Sequence, residues 1–464
     1  MSFHDNCNSK AIVLGMTCDG EKICSAAGRI STQQGTSIEI FEKSADSEKN
    51  SSLIKKVTRS GHNSVVEHTF FNIAFCDVTA VTEEFMIEFR LASFTVKSRR
   101  YVDFSNVGYF VPEFKNKENE KIYLNHVEYL FSEYQYMLDN GMAKEDARFL
   151  LPYCYRSNFY CSLNARELLH VLRGMLFGRG KNFPEIYNLG KQILEQVQPM
   201  CPGIFADFES KVPSKCDTMD LSDIKPESKN KNNEELVELI AYTGNAKHTV
   251  CLSSLINNLQ ISNEDAEKII EDDAKANEII RRIFACSRPR ELETIQYTFK
   301  YNRLSLASIT HLVRHRMQGV MIPPITSVNR RIYITPPLVK ENAELLERYN
   351  NAFNRNAEVY EMLKACGESE ETLVYLAMSG NTLDVVTTMN ARELMLYFRL
   401  RTCTRAQWEI REYACDALRK LRKIEPEIFK NYGPSCYVEG YCPEGALTCG
   451  KANEMKEIFA NNKF

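Results

Sequence analysis

The 464-residue sequence predicts an α/β protein of the α+β type, built as two tandem copies of one folding unit, each an antiparallel or mixed sheet with flanking helices. Three observations predict it. Asn164-Ala165-Arg166-Glu167-Leu168 returns 226 residues later as Asn390-Ala391-Arg392-Glu393-Leu394, and Arg90 of Glu88-Phe89-Arg90 returns at the same offset as Arg316 of Arg314-His315-Arg316. Two landmarks at one spacing indicate a duplication. Residues 209–235 turn to Ser, Lys, Asp, Asn and Pro, the composition of a polar linker, which sets the first copy at 1–208 and the second at 236–464. In each copy an aromatic and β-branched run precedes a segment with helical spacing, and no G-x-G-x-x-G follows a strand, so a doubly wound nucleotide fold is not expected.

The elements follow in order. Phe70-Phe71-Asn72-Ile73-Ala74-Phe75 and Tyr297-Thr298-Phe299-Lys300-Tyr301 carry residues that suit a pleated, half-buried surface and predict strands. After the second of these, Ser305 is placed to cap a helix whose apolar face is Leu306, Ile309 and Val313. A long helix is predicted from Asn390 past Arg419, because no proline intervenes before Pro426. On it Asn390 and Arg401 are about three turns apart and share a face, with Arg405 about one turn further. Such a face either lines an anion-binding cleft or is simply solvated, with Arg405 paired to Glu409.

Composition bounds the function. With 44% hydrophobic and 26% charged residues the chain has ordinary globular character and enough length for a large core. A net charge of -3 gives no positive field for a nucleic acid polymer, so anionic ligands need local arginine clusters. The apolar stretch from Ala11 to Met16 is too short for a signal-peptide core and no apolar run approaches the length of a bilayer span, so a soluble, cytoplasmic protein without membrane or nucleic-acid partners is expected. Sixteen cysteines without a secretion signal point to free thiols in a reducing compartment. One exception is weighed: Cys436, Cys442 and Cys449, joined by Cys403, as a zinc or iron–sulfur ligand set, although their spacing is looser than the usual pairs.

Four segments together resemble the flavin-dependent thymidylate synthases: Arg314-His315-Arg316; Ser98-Arg99-Arg100-Tyr101; Asn390-Ala391-Arg392 with Leu400-Arg401 and Ala406-Gln407-Trp408-Glu409-Ile410; and Ser60-Gly61-His62-Asn63-Ser64-Val65-Val66-Glu67-His68. The resemblance implies reductive methylation of dUMP to dTMP, with FAD as cofactor and NADPH and methylenetetrahydrofolate as co-substrates. It implies dUMP contacts at Ser98, Arg100, Arg148, His311, Arg314 and Arg401, with Arg401 activating the uracil. It further implies flavin contacts at His62, Ser64, Arg314, His315, Arg316, Asn390 and Arg392, with Asn164 and Arg166 as their counterparts in the first copy. The family is tetrameric, so a homodimer of double-length chains is expected to mimic it.

The motifs are divided between the copies. The first keeps Ser98, Arg100, Tyr101 and Arg148 but reads Glu88-Phe89-Arg90 at the R-H-R position and Met175 where the second has Arg401. The second keeps Arg314-His315-Arg316 and Arg401 but has Val374 in place of Arg148. What one copy lost the other retains, which predicts one composite site per chain. The alternative is a catalytically impaired descendant that still binds flavin or nucleotide.

Overall fold

A computed structural model of the chain describes residues 9–210, 219, 221, 223, 224 and 235–464. Most of the expected linker, 209–235, lies outside the described residues. Each copy forms a four-stranded, wholly antiparallel sheet. The first contains β1 (Lys10–Met16), β2 (Phe70–Thr79), β3 (Ser93–Val96) and β4 (Arg156–Asn164) in the order β1-β2-β4-β3. The second contains β5 (Val237–Tyr242), β6 (Gln296–Ser305), β7 (Gln318–Met321) and β8 (Thr382–Asn390) in the order β5-β6-β8-β7.

Eight helices position the site. In the first copy they are α1 (Ala80–Ile87), α2 (Lys117–Asp139), α3 (Ala165–Leu176) and α4 (Pro184–Met200). In the second they are α5 (Leu306–Leu312), α6 (Ala343–Ala365), α7 (Ala391–Arg401) and α8 (Trp408–Ile424). The offset of 226 residues persists in the backbone itself. Asp77 and Arg303 both adopt the left-handed conformation, with φ of 51° and 55°, where β2 and β6 break register with β4 and β8. Asp19 and Asn245 repeat it at 54° and 52°. A non-glycine residue rarely takes this conformation, so its return at one spacing is a structural signature of the duplication.

The single long helix expected from Asn390 past Arg419 is two helices. The Thr402 hydroxyl turns back onto the Phe398 carbonyl at 2.6 Å, and Gln407 caps α8 by accepting from the Ile410 amide at 3.0 Å. Two side chains that satisfy the orphan groups of a helix end and a helix start thus divide the run without proline. Arg405 falls in the break, and Glu409 is buried rather than on a solvated face.

The chain divides into two compact units, Met1–Glu227 with Thr335–Gly380, and Ser228–Ile334 with Asn381–Phe464. Part of the second copy, including α6, therefore belongs to the unit of the first sheet. Within that unit segments 149–154 and 375–380 run side by side. Tyr153 N–H donates to the Ala377 carbonyl at 2.7 Å, and Ser379 N–H to Leu151 at 3.0 Å; Cys154 N–H donates to Tyr375 at 3.2 Å, and Gly380 N–H to Phe149 at 2.9 Å. In each pair the second bond is the first with the partners' roles exchanged across the offset, which is how an isologous two-fold contact is built. Helices α2 and α6 pack beside this seam. Buried His126 meets Asn356 at 3.0 Å, and Arg348 grips Glu133 with two bonds of 2.7 and 2.9 Å.

Candidate active site

In the unit of the first sheet, the turn after β3 carries Ser98, Arg99, Arg100 and Tyr101. Ser98 organises it: the Val102 amide donates to its carbonyl at 2.9 Å and the Arg100 amide to its hydroxyl at 3.3 Å. Arg99 turns inward to a buried ion pair with Glu83 of α1 at 2.7 Å and also donates to the Tyr155 hydroxyl. Arg100 is half-buried, pairs with Glu145 at 2.8 Å and lies against the ring of exposed Tyr101. Arg148 is almost wholly buried and donates through Nε to the Glu145 carbonyl at 3.1 Å. Burial, with Arg99 and Arg100 adding repulsion, pulls the Arg148 guanidinium down to about 10. Arg99, Arg100 and Arg148 thus gather near Glu83 and Glu145, and guanidinium forks match the geometry of carboxylate and phosphate oxygens. Beneath them burial pushes the Glu84 carboxyl up to about 8, and its Oε2 has no hydrogen-bond partner.

The other unit builds a different arrangement. Ser305 caps α5 as expected, its hydroxyl accepting from the Ser308 amide at 3.0 Å. Buried Glu409, at the start of α8, accepts from the Ser305 amide at 2.8 Å, the Ser305 hydroxyl at 2.5 Å and the Ser308 hydroxyl at 2.7 Å. This ties α8 to α5 and fixes the chain that follows, Val313 to Arg316. In the first copy Glu185 makes the same brace to Thr79 and Thr82. The role of the Gln407 and Glu409 positions is therefore to brace and cap, which their place in a motif did not reveal.

Beyond α5, Arg314 and Arg316 are exposed while His315 between them is buried, 2% exposed, with its ring edge-on to Tyr397. Arg401, the last residue of α7, donates through Nε to His315 Nε2 at 3.0 Å and through Nη2 to the His311 carbonyl at 3.0 Å. Burial lowers the His315 pKa, partly offset by Glu393 and reinforced by Arg401 and Arg314. His311 and His315 are both buried, and the two acceptors for Arg401 are the His315 ring nitrogen Nε2 and the His311 backbone carbonyl.

The remaining expected residues fall as follows. Asn164 and Asn390 cap α3 and α7, accepting from the Glu167 and Glu393 amides at 2.9 and 2.8 Å. Arg166 pairs with Glu67 at 2.5 Å, and Arg392 with Glu293, one pair at each end of the offset. His62 and Ser64 are exposed at the turn that precedes β2. The expected metal ligands Cys403, Cys436, Cys442 and Cys449 are free thiols. Among the described residues no group of three or more His, Cys, Asp or Glu side chains is placed to hold a metal, so the structure does not form that ligand set. Among the described residues no helix is long and apolar enough to cross a membrane.

The division seen in the motifs is a division in packing. Where the second copy has His315 and Arg401, the first has buried Phe89 and Met175, and Glu88 is consumed by Arg179 at 2.5 Å. Where the first copy has Arg148, the second has fully buried Val374.

The sequence model of the family described as "Thymidylate synthase complementing protein" matches twice, over residues 13–203 and 234–427. A flavin-dependent thymidylate synthase of Clostridium tetani is 33% identical over 242 residues, 48% of this chain and 96% of that protein. One of Geobacter sulfurreducens is 32% identical over 228 residues, 48% of this chain and 97% of its own. Among solved structures, a UMP/dUMP methylase, PolB, from Streptomyces cacaoi bound with 5-Br dUMP aligns with a TM-score of 0.38 at 22% identity, over 44% of this chain and 98% of its own. Thymidylate synthase X of Helicobacter pylori with FAD and dUMP aligns with a TM-score of 0.35 at 21% identity, over 44% of this chain and all of its own.

Proposed function

Because the chain belongs to the family of flavin-dependent thymidylate synthases and is an enzyme of that methyltransferase class, we propose that it methylates dUMP to dTMP at one composite site per chain. The observation that carries the reading is the complementary packing just described. Arg99, Arg100 and Arg148 gather in the first copy, where the second has Val374 at the Arg148 position, and Arg401 is held by His315 in the second, where the first has Met175.

In this reading Arg100 and Arg148 take the nucleotide phosphate, with Ser98 as a neutral donor beside them. Arginine is suited to this because its planar fork matches phosphate oxygens. Arg401 stands at the uracil edge. Its fixed charge favours the base deprotonated at N3 and so raises nucleophilicity at C5, an electrostatic contribution that requires a rigid donor. The bond to His315 Nε2 supplies that rigidity, and since this nitrogen accepts, the imidazole is neutral and does not compete with the guanidinium for charge.

Bound flavin supplies the hydride, methylenetetrahydrofolate the carbon, and NADPH restores the flavin. In this reading the flavin takes exposed Arg314 and Arg316 from one unit and exposed His62 and Ser64 from the other, with Arg392 and Arg166 of the repeated Asn-Ala-Arg segments as further contacts. Two chains assemble as a homodimer in place of four single-length subunits, and the enzyme is cytoplasmic.

The test is flavin stoichiometry combined with release of tritium from C5-labelled dUMP in the presence of NADPH and the folate. One flavin per chain, with release abolished separately by Arg401→Ala and Arg148→Ala, is expected. Two flavins per chain, or activity that survives both substitutions, overturns the composite site. Bound flavin without any release from the unaltered enzyme overturns turnover itself and leaves a flavin- or nucleotide-binding descendant.

A further inference from the structure

Arg401 is held by an imidazole, and an imidazole can do this in only one of its forms. The Arg401 Nε–H always donates, so His315 Nε2 must present a lone pair and the ring's single proton must sit on Nδ1. Nδ1 faces the Glu393 carboxylate, with Oε1 at 3.3 Å. The two atoms are within ion-pair range yet outside hydrogen-bond geometry, and neither has another partner. Both side chains are buried, 2% and 8% exposed. A buried carboxylate oxygen without any other partner is costly unless a positive hydrogen lies opposite it.

We infer that Glu393 is a positioning residue. By fixing the proton on His315 Nδ1 it keeps Nε2 as the acceptor that orients Arg401. This rests on the reading that Arg401 acts on the uracil. The logic is that of a buried carboxylate selecting the tautomer of a histidine.

The first copy contains its own control. Glu167 occupies the same third position of α3 that Glu393 occupies in α7, one position from which an acidic side chain favours a helix N-terminus. There Phe89 stands at the imidazole position and Met175 at the arginine position, and Glu167 instead lies 3.5 Å from His170 on its own helix. A carboxylate with only a helix-terminus role would matter equally in both copies.

The experiment compares Glu393→Ala, Glu393→Gln and Glu167→Ala in the full-length holoenzyme. The first readout is the nitrogen spectrum of histidine-labelled protein, with the His315 signal assigned by its loss in His315→Phe. The unaltered enzyme is expected to show His315 protonated on Nδ1 alone. Glu393→Ala is expected to populate the other tautomer and to lower kcat by between about tenfold and a hundredfold, the scale of a small misplacement of a reacting group. Glu393→Gln, whose amide oxygen can lie opposite the Nδ1 proton as the carboxylate oxygen does, is expected to restore the Nδ1 form and most of kcat. Glu167→Ala is expected to change neither readout. An unchanged His315 spectrum in Glu393→Ala, or equal losses in Glu393→Ala and Glu167→Ala, overturns the inference. If the spectrum shifts as expected while kcat does not, Glu393 still sets the tautomer, and it is the assignment of Arg401 to the uracil that fails.

Discussion

Acid should loosen the seam between α2 and α6, and His126 sets by how much. This ring is 1% exposed. Its Nε2 donates to Asn356 Oδ1, since the Asn356 amide nitrogen is itself committed as donor to the Leu376 carbonyl at 2.9 Å. Nδ1 has no partner. Burial, with nearby Arg355 adding to it, pulls the pKa from 6.5 to about 4 against the opposing effect of the Asn356 bond. The folded state therefore prefers the neutral ring, and the unfolded chain binds more protons between about pH 6.5 and 4. In that window stability rises with pH. The folded state is unaffected above pH 6.5 and is disfavoured progressively as pH falls, by about 2 kcal/mol at pH 5 and about 3 kcal/mol near pH 4. His126→Gln keeps a donor for Asn356 and removes the titration. Urea unfolding of both proteins at intervals from pH 7.5 to 4.5 gives the difference directly, because His315 and the carboxylates contribute equally to each and cancel. The unaltered protein should lose about 2 kcal/mol relative to the variant between pH 7 and pH 5. Parallel stability curves would refute the argument.

Further expectations concern the braces and the phosphate cluster. Glu409→Gln weakens the three bonds from Ser305 and Ser308 and should cost about 1–3 kcal/mol in denaturant midpoint experiments; an unchanged midpoint would mean α5 is fixed by other contacts. At Gly380 an added Cβ would stand 2.8 Å from the Phe353 ring and 3.1 Å from the Phe149 carbonyl oxygen, so Gly380→Ala should destabilise by about 1–3 kcal/mol, and equal thermal stability would contradict the close approach at the seam. Arg148→Lys keeps a charge but loses the fork, and should raise the KM for dUMP by about tenfold while flavin binding stays unchanged; an unaltered KM would remove Arg148 from the phosphate site.

What could be read from the sequence was what depends on near neighbours. The runs at Phe70 and Tyr297 form strands, and Ser305 caps a helix, because each depends on a few adjacent residues. The duplication was legible for a different reason, since identical side chains at one offset need no knowledge of the fold. The break between α7 and α8 was not legible: Thr402 and Gln407 act through hydroxyl and amide bonds to backbone groups, a signal weaker than proline. Nor was the brace from Glu409 to Ser305, which spans more than a hundred residues, or the inward turn of Arg99 to Glu83. For Arg401 the residue was legible but its support was not. His315 stood in the motif as a ligand contact, and its bond to Arg401, which spans 86 residues, could not be read there.

The exchanged pairs of hydrogen bonds between segments 149–154 and 375–380 have the form of a joint between two identical subunits, yet both sides belong to one polypeptide. A joint of this kind no longer waits on the encounter of separate molecules, so dilution cannot open it. It also frees the two sides from copying each other. In a symmetric pair every substitution is made twice, and any change that helps one side must be tolerated at its mirror image. Here Arg348 grips Glu133, while the mirror positions are Ile122 and Val359 and carry no such pair. Each side of the joint has been able to change singly, the same freedom that let one copy keep the arginine cluster and the other keep Arg401.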